Sequence, residues 1–264
     1  MEATRPAMGT EVTEGTAVLR LRGVTKYFGG ISALDGIDFE VNRGEIVGLI
    51  GDNGAGKSTL VKIIMGVHKP DAGEMYFNGE KVLFHSPIDA RKAGIEAVYQ
   101  DLALIDLMST YRNFYLGREP KRWRGPMRLL DFPKMKEVTE RSLASVGIRL
   151  RDLDLPVSVL SGGERQSLAI SRAFFFGAHL MLLDEPVAAL SVKETNKVLG
   201  SIRAIASQGG SVVIVAHNIY QIHPIVDRFY VLSRGRELGQ FKQGEITPEE
   251  IIEILVGDHN CEET

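Results

Sequence analysis

The chain has 264 residues, enough for one large α/β domain or a core with a smaller lobe, and its 31 Lys and Arg against 34 Asp and Glu leave a formal net charge of −3. That balance argues against a general nucleic-acid binder, which carries a strong basic bias. The lone cysteine, Cys261, excludes an intrachain disulfide and suits a reducing compartment, and no apolar run reaches the roughly 20 residues that a membrane-spanning helix requires.

Residues 1–16 lack the apolar core of a secretory leader, and their Thr, Glu and Gly content predicts a mobile tail ahead of a domain over 17–264. Segments 19–24 and 37–41 alternate apolar and polar residues, as half-buried antiparallel strands do, and Asn42-Arg43-Gly44 supplies a turn. Ile46-Val47-Gly48-Leu49-Ile50 is a continuous apolar run, the pattern of a central strand covered on both faces. It leads directly into Gly51, Asp52, Asn53, Gly54, Ala55, Gly56, Lys57, Ser58 and Thr59. This segment fits the G-x-x-x-x-G-K-[ST] loop, in which glycines let backbone N–H groups curl around phosphate oxygens while the lysine supplies positive charge. Leu60, Ile63, Ile64 and Val67 then recur at helical spacing, so a bound phosphate would lie at a helix N-terminus.

The stretch 101–159 differs in texture, with no central-strand run and scattered amphipathic pieces such as 135–146. Beyond it come Leu160-Ser161-Gly162-Gly163-Glu164, a helix start with free N–H groups, and a buried-strand run at 180–183 that ends in Asp184-Glu185-Pro186. Ser191 and Glu194 form a capping box for a helix whose buried stripe is Val198, Leu199, Ile202 and Ile205, and Gly209-Gly210 ends it. A second buried strand at 212–215 leads to His217, the segments 229–232 and 237–241 flank an Arg234-Gly235 turn, and Thr247-Pro248-Glu249-Glu250 opens a terminal helix. Strands alternating with helices imply a mainly parallel sheet.

The phosphate loop, Leu-Ser-Gly-Gly-Glu and Leu182-Leu183-Asp184-Glu185-Pro186 occur in the order found in ATP-binding cassette proteins, and the chain resembles their nucleotide-binding domain over nearly all of its length after the tail. The resemblance implies an α/β fold: a P-loop NTPase core with an N-terminal antiparallel β-subdomain and an inserted α-helical subdomain at about 101–175. It also implies the ligands ATP and Mg²⁺. By this resemblance the 51–59 loop holds the phosphates, Lys57 contacts the β- and γ-phosphates, Ser58 and Asp184 ligate Mg²⁺, and Glu185 orients and polarises the attacking water. Gln100, after the strand-like segment 95–99, resembles the glutamine that contacts metal and water, and His217 resembles the histidine that hydrogen-bonds the γ-phosphate. Phe28 fits the aromatic that stacks on adenine, with Tyr27 as the competing choice. Ser161, Gly162 and Gly163 would bind the γ-phosphate held by a second subunit in a head-to-tail homodimer of cassettes.

The segment 184–194 with His217-Asn218 is similar to the single-cassette ATPases of bacterial simple-sugar importers of the ribose and fructose type. That likeness implies hydrolysis of ATP to drive uptake of a monosaccharide, from the cytoplasmic face of the inner membrane, with integral-membrane permease subunits, a periplasmic solute-binding protein and no nucleic acid. An exporter subunit, or a soluble cassette acting on nucleic acid or ribosomes, is the alternative. Two positions depart from the family pattern: Val187 stands where Thr is usual, and Ser191 where Asp commonly closes the loop. The second departure puts communication between the two ATP sites in doubt. Lys121-Arg122-Trp123-Arg124-Gly125-Pro126 reads as a solvated surface of the inserted subdomain.

Overall fold

The computed structural model describes residues 17–124 and 127–260. The expected tail at 1–16, Cys261 and Gly125-Pro126 therefore lie outside the described residues.

The chain opens with two long paired strands, β1 (Ala17–Phe28) and β2 (Ile31–Asn42), followed by β3 (Ile46–Ile50) and α1 (Lys57–Ile64). Next come β4 (Ala72–Phe77), β5 (Glu80–Val82), α2 (Pro87–Ala93) and β6 (Ile95–Val98). The middle of the chain forms α3 (Thr110–Tyr115), a hairpin of β7 (Lys121–Arg124) and β8 (Met127–Leu130), α4 (Phe132–Ser145) and α5 (Gly162–Phe175). The remainder is β9 (Leu180–Asp184), α6 (Val192–Ser207), β10 (Ser211–Ala216), α7 (Ile219–Ile222), β11 (Arg228–Ser233), β12 (Arg236–Lys242) and α8 (Pro248–Asn260).

The central sheet has strand order β12-β11-β3-β10-β9-β6. All of its pairings are parallel except that of β12, which returns antiparallel beside β11. Successive side chains of a strand leave on opposite faces, and here both faces are buried. Val47 and Leu49 of β3, Leu180 and Leu182 of β9, and Val213 and Val215 of β10 enter one core cluster. Their neighbours Ile46 and Ile50, Met181 and Leu183, and Val212 and Ile214 enter the other. This is why those strands read as unbroken apolar runs. The first cluster is closed by α1 and by an antiparallel sheet of order β2-β1-β4-β5, the second by α5, α6 and α8. A third cluster joins Tyr111 and Phe114 of α3 to Met135 and Leu143 of α4 and Leu168 of α5.

The sequence patterns foresee the two-face-buried strands, the antiparallel β1 and β2, and α6 with its capping box. The segment Lys121–Arg124 is surface, as expected, with Trp123 71% exposed, and it also forms a strand of an antiparallel hairpin in which Trp123 pairs with Arg128. No apolar alternation marked it, because both of its faces meet solvent. Among the described residues, no helix is long and apolar enough to cross a membrane.

Candidate nucleotide site

The parallel strands end on one edge, where β3 runs into the phosphate-binding loop and β9 and β10 deliver their C-terminal residues beside it. Register fixes this: Val215 of β10 lies between Leu49 of β3 and Asp184 of β9. The loop is shaped by close backbone approach. A Cβ at Gly51 would stand 2.1 Å from the Leu232 carbonyl, and one at Gly56 would stand 2.6 Å from the Ala33 carbonyl, so neither position tolerates a side chain without movement. Gly56 also adopts φ 104° and starts α1 without any side-chain cap, so the first-turn N–H groups of α1 face outward as an anion site.

Lys57 is buried, and its ammonium donates to the carbonyls of Gly51 at 2.5 Å and Asp52 at 2.9 Å. Burial lowers its pKa, while the charges of Glu185, Asp52 and Asp184 act in the opposite direction and keep the cation in the loop. Asp184 sits half-buried at the end of β9. Its carboxyl is raised above the ordinary range, first by burial and then by the neighbouring Glu185, with Lys57 and Lys62 opposing. Such a carboxylate is short of positive charge. Glu185 breaks the strand with a left-handed backbone, φ 52°, an uncommon conformation for a residue other than glycine. Its Oε1 accepts from the His217 amide at 3.1 Å and meets His217 Nδ1 at 2.7 Å. An ionised carboxylate only accepts, so this contact places the imidazole proton on Nδ1.

Gln100 is exposed and follows β6, whose Val98 pairs with Leu183, so the chain leaves this strand alongside Asp184. The aromatic turn is held by an acid that the sequence did not single out: Asp71 accepts from the Tyr27 amide at 2.7 Å and from Lys26 at 3.0 Å. Phe28 is 44% exposed and Tyr27 51%, which rules out core packing as the reason for either ring. Phe28 meets His68 edge-on at 5.2 Å.

The structure thus brings together Lys57, Asp184, Glu185 and His217. Ser161, Gly162 and Gly163 lie elsewhere, at the start of α5, with Leu190 and Glu194 as their near neighbours. Ser161 caps α5 through Glu164, and Ser191 caps α6 through Glu194. Val187 is 2% exposed and packs in the second core cluster, so a methyl in place of a hydroxyl suits its surroundings.

Ser58 and Asp184 suit Mg²⁺ by chemistry: a hydroxyl at the mouth of the loop and a carboxylate raised by burial are both hard oxygen donors. Among the described residues no group of three or more His, Cys, Asp or Glu could hold a metal ion, and Mg²⁺ in phosphoryl-transfer sites takes only one or two protein ligands, with phosphate and water supplying the rest.

A family model described as "ABC transporter" matches residues 34–188, which span the loop, the Ser161–Glu164 segment and the strand-end acids. The chain belongs to the ABC transporter family. This cassette is 48% identical over 238 residues to the xylose/arabinose import ATP-binding protein XylG of Sulfolobus acidocaldarius, with 90% of this chain and 93% of that protein covered. It is 38% identical to the fructose import ATP-binding protein FrcA of Rhizobium meliloti, with 91% and 94% covered. It is 39% identical to the ribose import ATP-binding protein RbsA 2 of Rubrobacter xylanophilus, of which it covers 46%. The cassette also resembles the solved ADP conformation of an ATP-binding cassette of an ABC transporter, with TM-score 0.78, 25% identity, and 92% of this chain and all of that one covered. A bacterial ABC transporter cassette solved as a dimer matches with TM-score 0.68 and 27% identity over 86% of this chain and all of that one.

Proposed function

We propose that this cassette is the ATP-hydrolysing subunit of an importer of a monosaccharide. The observation that carries the reading is the convergence of Lys57, Asp184 and the His217-braced Glu185 on the phosphate loop, in a chain that covers more than nine-tenths of two sugar-import ATP-binding proteins, XylG and FrcA. ATP lies with its phosphates in the 51–59 loop and its base against Phe28 or Tyr27. Ser58 and Asp184, with Gln100 nearby, would hold Mg²⁺, which would supply positive charge to offset that of the phosphates.

Lys57 contributes a fixed positive charge that needs no reorganisation when negative charge spreads over the transferring phosphoryl group. Glu185 accepts a hydrogen bond from the attacking water and draws electron density toward its oxygen. With the Nδ1 proton given to Glu185, the other ring nitrogen of His217 faces the γ-phosphate and donates to it when the imidazole carries both protons. Water oxygen bonds to the γ-phosphorus as one of its protons passes to Glu185 and from there to solvent, the bond to the bridging oxygen breaks, and ADP and phosphate leave.

Segment 101–175 serves as the helical subdomain. Ser161, Gly162 and Gly163 act in trans, on ATP bound to a second copy, so two cassettes close over two nucleotides. Permease subunits hold the dimer at the cytoplasmic face of the membrane, and a periplasmic binding protein delivers the sugar. We place the permease contact at a cavity of about 310 Å³ next to Gln100, lined by Tyr99, Asp101, Phe114, Arg118 and Arg172.

Glu185→Gln tests the assignment. The amide retains shape but loses charge, so ATP affinity is expected to stay within about twofold while steady-state turnover falls by about 10²-fold or more. Lys57→Ala deletes a charge-assisted contact and is expected to weaken ATP binding itself by about tenfold or more. Equilibrium nucleotide binding and phosphate release separate the two. Near-normal turnover of Glu185→Gln removes Glu185 from its role.

A further inference from the structure

The start of α5 already has an anion on it. Gly163 is the second residue of that helix, where an N–H has no partner within the helix, and this N–H donates to Glu194 Oε1 at 3.3 Å. The other carboxylate oxygen is held differently: Oε2 accepts from the Ser191 amide at 3.1 Å and from the Ser191 hydroxyl at 2.7 Å. Glu194 is therefore shared between two helix starts. The contact is close, since a Cβ built on Gly163 would stand 2.9 Å from Glu194 Cβ. These donors, the Ser191 hydroxyl first, then the Ser191 and Gly163 amides, hold the Glu194 carboxyl far below its usual range, at about 2. It is an anion at any ordinary pH.

A capping box explains Oε2 and leaves Oε1 unexplained, because capping α6 does not require reaching α5. We propose that Glu194 is an internal placeholder for phosphate: its carboxylate holds the Gly163 N–H in the separated cassette and yields it to the γ-phosphate of ATP carried by a second copy of this chain. The proposal rests on the reading that Ser161, Gly162 and Gly163 serve the partner's nucleotide. The geometry suits an exchange. The longer Gly163 bond on Oε1, and with it the contact from the Ser161 hydroxyl, can be released while the two bonds on Oε2 keep α6 capped. Two anions do not share one N–H, so Glu194 sets the ATP concentration at which two cassettes close, by opposing the arriving phosphate.

The test uses the full chain carrying Glu185→Gln, in which hydrolysis is stalled, and follows its dimerisation by sedimentation velocity as ATP is raised. Adding Glu194→Gln keeps an oxygen for the cap and removes the charge. Dimers are expected to form at about tenfold lower ATP, a change of the size one close charge contributes, with the thermal midpoint nearly unchanged and no dimer in ADP for either form. Glu194→Ala gives the sharper contrast. A residue that is only a helix cap would make Ala dimerise less readily, whereas a placeholder makes it dimerise more readily despite a lower thermal midpoint. Equal ATP midpoints for the parent and Glu194→Gln, or a raised midpoint for Glu194→Ala, overturn the proposal and leave the shared site standing. A parent that binds ATP at saturation and stays monomeric removes the shared-site reading, and the placeholder with it.

Discussion

Asp184 illustrates how a residue can be unfavourable to the fold and still occupy its place. Burial raises its carboxyl pKa, and Glu185 raises it further, so in the folded chain the ionised form carries a cost relative to the unfolded one. The sign follows directly: the cost is present at pH above the folded value and disappears as pH falls through it. Asp184→Asn is therefore expected to raise the thermal midpoint of the nucleotide-free protein at neutral pH by about 2–4 °C, the scale of roughly 1 kcal/mol in a chain of this size. The gain should vanish in acid, and Mg²⁺-dependent ATP binding should weaken. Calorimetric scans at neutral and acid pH check this, and a lowered midpoint at neutral pH would show that Lys57 and Lys62 already compensate the charge.

At the scale of elements, the contact between the starts of α5 and α6 makes Gly163 diagnostic. Glycine in an open helical position is less stable than alanine by about 1 kcal/mol, so Gly→Ala ordinarily stabilises. Here the added methyl meets Glu194 Cβ at 2.9 Å, Cγ at 3.2 Å and Cα at 3.3 Å, and backbone must shift. Gly163→Ala is expected to destabilise by about 1–3 kcal/mol, read from urea unfolding. A neutral or stabilising result would mean that the two helix starts part freely. The same place marks the limit of what the sequence discloses. Ser191 and Glu194 were legible as a cap because that pattern is local, and the phosphate loop was legible because its spacing is itself the mechanism. That Glu194 also reaches Gly163, 31 residues earlier, depends on tertiary packing and leaves no local trace. The helix α2 was missed for a different reason. Its signals are present, with Ser86 as cap, Pro87 at the first position and Gly94 at φ 101°, but its seven residues bury only Ala90 and show no apolar stripe. The hairpin β7–β8 and the strand β5 were hidden likewise, since exposed strands do not alternate.

At the scale of the whole molecule, the acids, the lysine and the histidine gather at one edge of the sheet, and the Ser161–Gly163 segment belongs to a separate helix start. Under the proposed shared-site reading the two places are complementary halves. Ser161→Asp retains a good N-cap but adds a negative charge where phosphate would arrive, and Lys57→Ala damages the loop. Mixed at equal concentration, the two variants are expected to form heterodimers with one intact composite site and to regain about a quarter of the unmodified chain's ATP occupancy in sealed dimers, the share expected when half of random pairs carry one good site of two. Native mass spectrometry of the mixture reads both composition and nucleotide count. Confirmed heterodimers without added nucleotide would end the shared-site reading. The hairpin offers a means of watching such events. The chain has one tryptophan, and it stands on the outer face of that hairpin. Its fluorescence therefore reports a single location, the β7–β8 hairpin, with no second indole to confuse the signal. Quenching by iodide or acrylamide would register whatever covers that surface, so the protein carries an unlabelled optical probe for docking on this one face.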